Sequence, residues 1–390
     1  MWVGLEASPT TVDPRLATDT SLKISQLIHN GLFRLTERLD VEPDLVEKFD
    51  FIPPQTYRFH LHSGVFFHNG QALTSQEVKG TLESAGVMEK IETIKIIDPL
   101  TLEVKLKEPS ASFLSSLTIG IIPGDPSIGT GPFILDSWRP PQEISLRRNE
   151  KYFRLSPDQL QKPFRVIFRV IPDPALRLSE LRRGQIDLLQ DDLPSLETPQ
   201  GGSGLVLERT SGTSVTYLSL NLKKGPLQKV EFRRAIAYAI DRQALAELQR
   251  GQRVQSVKGL YDPRKARALL ADLPSTLTYK TSTRRDQIGL ARLIARSLKE
   301  VGIEVKILPL EEKTFLKDVR EGNFEICSLT WDGVTDPDGY FAAVQKVLVE
   351  EVPIIPLWYE DHVALFSNRV KNVKLRPNGS FEWATEVYKE

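Results

Sequence analysis

The run TYRFHLHSGVFFHNGQALTSQEVKG, Thr56 to Gly80, packs three structural signals into one stretch. Tyr57, Phe59 and Leu61 alternate with Arg58, His60 and His62, the period-two pattern of a half-buried strand. Phe66 and Phe67 follow, and His68-Asn69-Gly70 has the composition of a tight turn. Thr74 and Glu77 stand three apart, as an N-cap and its reciprocal partner do, with Leu73 and Val78 placed to clasp the helix start as a hydrophobic staple. The stretch predicts a strand, a turn and a capped helix. By itself it specifies structure, not function.

Outward from this block, the chain alternates strand and helix signals. Met1-Trp2-Val3 leads directly into a candidate first strand. Asp98-Pro99 predicts a turn before a strand at Leu102 to Leu106, and Gly129-Thr130-Gly131-Pro132-Phe133 predicts a tight backbone passage before another. Glu231 to Arg250 carries Phe232, Ile236, Ala239, Ile240 and Leu248 on a helical stripe that ends at Gly251. A strand near Thr276 to Lys280 precedes a helix from Asp286 to Val301 with Ile288, Ala291, Ile294 and Leu298 facing inward. Then come a strand at Ile303 to Leu308, a helix at Glu311 to Glu321 and a strand at Phe324 to Thr330. That succession predicts a parallel sheet with right-handed crossovers.

Length and composition narrow the class. At 390 residues the chain is too long for one compact core. Its 51 basic and 51 acidic residues balance without long runs, which argues against a nucleic-acid footprint. No apolar stretch reaches the roughly eighteen residues that span a bilayer; Phe113 to Ile122 is too short. The single cysteine, Cys327, leaves no intrachain disulfide or cysteine metal site and reads as a small buried hydrophobe.

Several blocks, kept in order, resemble one family. Ser63 to Val78 is similar to the signature of extracellular solute-binding protein family 5, the large proteins that feed peptide and nickel ABC transporters. The Gly129 to Phe133 step resembles the point where that family's chain leaves a small inserted subdomain. Val170 to Leu189 (VIPDPALRLSELRRGQIDLL) resembles its Asp-Pro turn, short helix and Gly-x-Ile-Asp strand, VEFRRAIAYAIDRQAL the start of its second lobe, and Val352 to Tyr359 its return segment. The resemblance implies an α/β, two-lobe periplasmic-binding-protein type II fold with a small α+β subdomain inserted in the first lobe. Residues 1–33, 128–213 and 354–390 are then the first lobe, 34–127 the subdomain and 214–353 the second lobe. The hinge crossings fall near 213–217 and 352–357. Gln200 to Gly204 reads as a surface loop.

The function implied is the substrate-binding component of an ABC importer. It captures a peptide-like solute between closing lobes and delivers it to a membrane permease, without enzymatic chemistry, cofactor or metal. The chain is then exported, periplasmic or at the cell surface, and monomeric; Met1-Trp2-Val3 shows no basic, apolar, small-residue signal pattern and on this resemblance reads as the start of a mature form. In open α/β sheets ligands bind beyond the carboxyl ends of the strands, which points to Trp331, Asp332, Gly333 and Asp336. The family's first-lobe contacts correspond to Thr20, Ser21 and Ile24; the same residues read simply as helix start and cap. In peptide-binding members an aspartate three residues after the matching tryptophan pairs with the α-ammonium, and here Val334 stands there. Two alternatives follow: a receptor or interaction protein that kept the fold and lost the anchor, and a nickel or metal-chelate binder. His60 and His62 read as solvent-facing strand residues beside the turn that carries His68, since no carboxylate or cysteine accompanies them at ligand spacing.

Overall fold

A computed structural model describes residues 1–156, 165–191, 193, 204–250, 254–256, 261–270, 276–331 and 351–390, the side chains of 19, 248–250 and 254–256 excepted. The chain divides into two compact units, one of Met1–Thr210 with His362–Glu390 and one of Ser211–Asp361.

In the first unit, β1 (Trp2–Leu5) is followed by α1 (Asp19–Ile28), a short hairpin of β2 (Phe33–Leu35) and β3 (Val41–Pro43), then β4 (Val46–Ile52) and β5 (Thr56–Leu61). Next come α2 (Ser75–Glu83), β6 (Ile91–Asp98), β7 (Thr101–Leu106), β8 (Phe133–Arg139), β9 (Glu143–Arg148), β10 (Arg165–Val170), α3 (Pro174–Arg182) and β11 (Leu188–Gln190). β1 is central, parallel to β10 on one side and to β11 on the other. β9 and β8 extend the β10 side as antiparallel strands. β4, β5, β7 and β6 form a separate antiparallel sheet with its own core, in which Phe59, Leu61, Leu73 and Val78 meet.

The opening stretch folds as its spacing predicts. Phe59 and Leu61 are buried while Arg58 pairs outward with Glu103. The Thr74 N–H donates to Glu77 Oε2 at 3.0 Å and the Gln76 N–H donates to Thr74 Oγ1 at 3.2 Å, closing the capping box at the head of α2. Gly70 takes the left-handed conformation at φ +87°, which glycine adopts without steric cost. At the Gly129–Phe133 passage, glycine is required by contact rather than conformation. A Cβ on Gly129 would stand 2.0 Å from the Ile28 carbonyl oxygen, and one on Gly131 2.5 Å from the Ile28 carbonyl carbon.

The chain enters the second unit within β12 (Leu205–Leu220). It continues through α4 (Val230–Ala239), α5 (Arg242–Arg250), β13 (Val254–Ser256), α6 (Pro263–Leu270), β14 (Thr276–Ser282), α7 (Arg285–Glu300), β15 (Glu304–Leu310), α8 (Glu312–Arg320) and β16 (Ile326–Trp331). It returns within β17 (Ile354–Ser367). β14 is parallel to both β15 and β16, the sheet the strand–helix succession predicts. β16 is flanked on its other side by antiparallel β12.

Three details correct the sequence reading. The single helix over Glu231–Arg250 is two: Ile240 is extended, and Asp241 accepts the Ala244 N–H at 3.0 Å, capping a second helix. Ile288 is half-buried, and Leu290 joins Ala291, Ile294 and Leu298 on the inner face. The last parallel strand begins at Ile326 and includes Trp331 rather than stopping before it. In the turn, His68 accepts the Gly129 N–H on Nδ1 at 3.3 Å and donates from Nε2 to the Gly131 carbonyl at 3.0 Å.

Candidate functional site

In the second unit the parallel strands end at Ser282 and Trp331, and β12 lays Thr216 opposite Thr330 and Val215 opposite Trp331. The Thr216 and Thr330 hydroxyl oxygens are 2.9 Å apart, and Thr216 Oγ1 donates to Glu360 Oε1 at 3.1 Å. With the Thr216 proton committed to Glu360, Thr330 is the donor in the hydroxyl pair. Trp358 Nε1 reaches the same Glu360 oxygen at 3.4 Å. A carboxylate is therefore held by neutral donors at the carboxyl-terminal end of this sheet. Trp331 pairs with Val215 and so projects from the opposite face to Thr330, with 39% of its surface exposed.

Beneath this row the interior is sealed. Tyr279 is fully buried and its hydroxyl bonds Ser328 Oγ. Burial pushes the Cys327 thiol up to about 12, so the only cysteine of the sequence is a packing residue, as its apolar neighbours predict. Asp332, Gly333 and Asp336, together with Val334, lie outside the described residues.

In the first unit the predicted contacts lie on α1. Thr20 is half-buried at its first turn. Ser21 is buried and its Oγ accepts the Thr10 N–H at 2.9 Å. Ile24 is fully buried in the core with Val3, Leu27 and Phe133. Lys23, between them in sequence, leaves the helix in another direction and bonds Asp191 Oδ2 at 2.8 Å. That carboxylate also meets His362 Nδ1 at 3.1 Å and accepts the Val363 N–H at 3.0 Å. Burial alone would raise the Asp191 pKa, but the Lys23 charge and the His362 contact outweigh it and hold the carboxyl well below the usual carboxylate range.

His60 lies 3.3 Å from Asp50, and His62 packs on the Phe153 ring at 5.9 Å between centroids. His68 clasps the Gly129–Gly131 passage. These contacts spread the three histidines over separate tasks, and among the described residues no group of three His, Cys, Asp or Glu side chains could hold a metal ion. Sequence reading did not single out Glu360, Lys23, Asp191 or His362. Asp191 directly follows a short strand, and nothing local points from Glu360 to Thr216 or from His362 to Asp191, 144 and 171 residues away.

Two α/β units are joined by two chain crossings, and the second carries polar and aromatic side chains at the strand ends of its sheet. The pattern described as "Bacterial extracellular solute-binding proteins, family 5 Middle" matches residues 40–346. The chain belongs to this family, the solute-binding components of ABC importers. Among curated relatives, the dipeptide-binding protein of Escherichia coli K12 is 25% identical over 89% of this chain and 78% of its own length. Heme-binding protein A of Haemophilus influenzae is 24% identical over 82% of this chain and 71% of its own. Among solved structures, the Helicobacter pylori periplasmic binding protein DppA, in complex with the peptide STSA, aligns with a TM-score of 0.82. It is 22% identical and covers 100% of this chain and 98% of its own. NikZ from Campylobacter jejuni, in complex with Ni(L-His), gives 0.81 at 19% identity, covering 100% and 99%. These likenesses establish the two-lobe type II periplasmic-binding fold. No described helix is long and apolar enough to cross a membrane.

Proposed function

We propose that this chain captures a peptide-like solute outside the cytoplasm by closing its two units and hands it, as a monomer, to a membrane permease. The observation that carries the reading is a chain that crosses between its units twice, at Thr210/Ser211 and Asp361/His362, beneath a family pattern spanning 40–346. Two connections permit bending while limiting direction. Solute that contacts both units only when they are closed shifts the equilibrium toward the closed form. The permease then reads that form.

On this reading Trp331 supplies an aromatic face, with Asp332 or Asp336 as the charge that pairs with an ammonium group and Gly333, without a side chain, as the residue that allows close approach. Thr20 supplies a polar contact from α1. Ser21 and Ile24 contribute by seating that helix, because their side chains are committed to Thr10 and to the core. Peptide main chain would be held by hydrogen bonds that tolerate sequence variation.

Calorimetry against a mixed di- to pentapeptide pool tests the proposal, with Trp331→Ala and Asp332→Asn alongside. Heat of binding that weakens in Trp331→Ala is expected, and no heat with any peptide would sink the peptide reading. Val334, at the place of the family's aspartate, favours a second reading in which the solute lacks a free amine. Equal affinity for free and N-acetylated peptides would select it.

A further inference from the structure

We propose that Lys23, Asp191 and His362 form a latch on the return crossing, fixing where the bending segment of that crossing ends. The boundary between the units falls between Asp361 and His362, so His362 is the first residue on the first-unit side. Asp191 grips this point repeatedly. Its N–H donates to the Val363 carbonyl at 2.8 Å, its Oδ1 accepts the Val363 N–H at 3.0 Å, and its Oδ2 meets His362 Nδ1 at 3.1 Å. The same Oδ2 takes Lys23 Nζ at 2.8 Å. One carboxylate thus joins α1, the end of β11 and the start of the returning segment.

The surroundings fit a built device. Asp191 sits in the left-handed region at φ +64°, a conformation aspartate tolerates but which costs energy unless side-chain bonds offset it. Gln190 beside it is fixed by donating to the Gly379 carbonyl at 2.9 Å and accepting from Trp383 Nε1 at 2.6 Å. A Cβ on Gly379 would stand 2.4 Å from His362 Cε1 and 2.8 Å from both ring nitrogens, so only glycine lets the ring lie against Asp191. His362 Nε2 is buried with no hydrogen-bond partner among the described residues, a cost that the ring's Asp191 contact offsets. Bending on this crossing is confined to residues ahead of His362, and α1 is tied to the strand that follows. The inference rests on the reading that the units close about their crossings.

Amide exchange followed by mass spectrometry tests the latch on the full chain, with Asp191→Asn, Lys23→Met, His362→Gln, Lys23→Met/His362→Gln and Gly379→Ala. Asp191→Asn should lower protection of residues 362–366 about tenfold, the scale of losing hydrogen bonds to a charged group. Because Lys23 and His362 share one oxygen, the double variant should depart from the product of the two single effects. Gly379→Ala should reproduce His362→Gln while removing no charge. Unchanged protection in Asp191→Asn, or strictly multiplicative single effects, would overturn the latch. Fluorescence transfer between dyes on the two units, with the peptide pool, separates this from the closure reading. Distances that respond to the pool in wild type and spread more widely in Asp191→Asn support both. A response identical in wild type and variant leaves closure standing and removes the latch. No response in wild type to a pool that gives heat of binding removes closure, and the latch, having no bending to limit, falls with it.

Discussion

His29 Nε2 donates to the Pro126 carbonyl at 3.0 Å, tying the C-cap of α1 to the segment that leads into Gly129. The other ring nitrogen, Nδ1, lies 3.1 Å from Ser25 Oγ, which can donate to it, and 2.9 Å from the Ser25 carbonyl oxygen, which only accepts, so the neutral ring has a proton for one of its two carbonyl contacts. Burial is the main cause that brings the His29 pKa down from 6.5 to about 4. A base kept neutral in the fold contributes stability that is fully present above the unfolded pKa. It is lost as pH falls through the folded one.

The first prediction follows from that sign. Urea midpoints of the wild-type protein should fall between pH 6.5 and 4, and the loss from His29 should total about 3 kcal/mol. His29→Gln should flatten this slope whatever its stability at pH 7. An equal slope in the variant would place the acid sensitivity elsewhere.

Two glycines give opposite expectations for the same substitution. Gly131→Ala drives a methyl group to 2.5 Å from the Ile28 carbonyl carbon, against backbone that cannot swing away. A loss of about 3 kcal/mol is expected, the upper end of overpacking costs. Gly80 lies inside α2 with nothing within 4 Å of an added Cβ. Gly80→Ala should stabilise by about 0.5–1 kcal/mol through helix propensity. Thermal melts of both variants check the pair, and a destabilised Gly80→Ala would show that α2 is not governed by propensity.

The contrast between these glycines also shows what the sequence could disclose. Thr74, Glu77, Leu73 and Val78 were legible because capping and stapling act within one helical turn. The parallel sheet of the second unit was legible because alternating strands and helices leave few topologies. The break at Ile240-Asp241 was hidden by an apolar stripe that continues across it, in Ala239 before and Leu245 after. The Lys23–Asp191–His362 cluster was hidden for a different reason. Its partners are 168 and 171 residues apart, and no local periodicity records a contact made only when β11 and β17 pair. Trp331 was expected at the site from its strand-end position together with the family resemblance, whereas the direction of its side chain depends on register with β12.

Cys327 provides a probe of the second unit. Its side chain is buried opposite Ser219, and burial pushes the thiol up to about 12. Little thiolate exists at pH 8, and none of it is accessible. A thiol reagent should leave the native protein unlabelled for hours and modify one group after denaturation. Prompt labelling of the native chain would mean that the sheet opens at β16 far more often than its core packing implies.

The Tyr279–Ser328 pair tests whether that sheet is held by its polar bond or by volume alone. Both groups are buried, the hydroxyls bond each other, and burial raises the Tyr279 pKa so that the phenol stays protonated. Tyr279→Phe leaves Ser328 without this partner in an apolar setting, and a cost of about 1–3 kcal/mol is expected. Ser328→Ala strands the Tyr279 hydroxyl at similar cost. The double variant should lose less than the sum, because removing both partners leaves no buried group unsatisfied. Urea unfolding of the four proteins closes the cycle. Additive losses would mean that each hydroxyl finds another partner, and that the short contact between β14 and β16 adds nothing beyond packing.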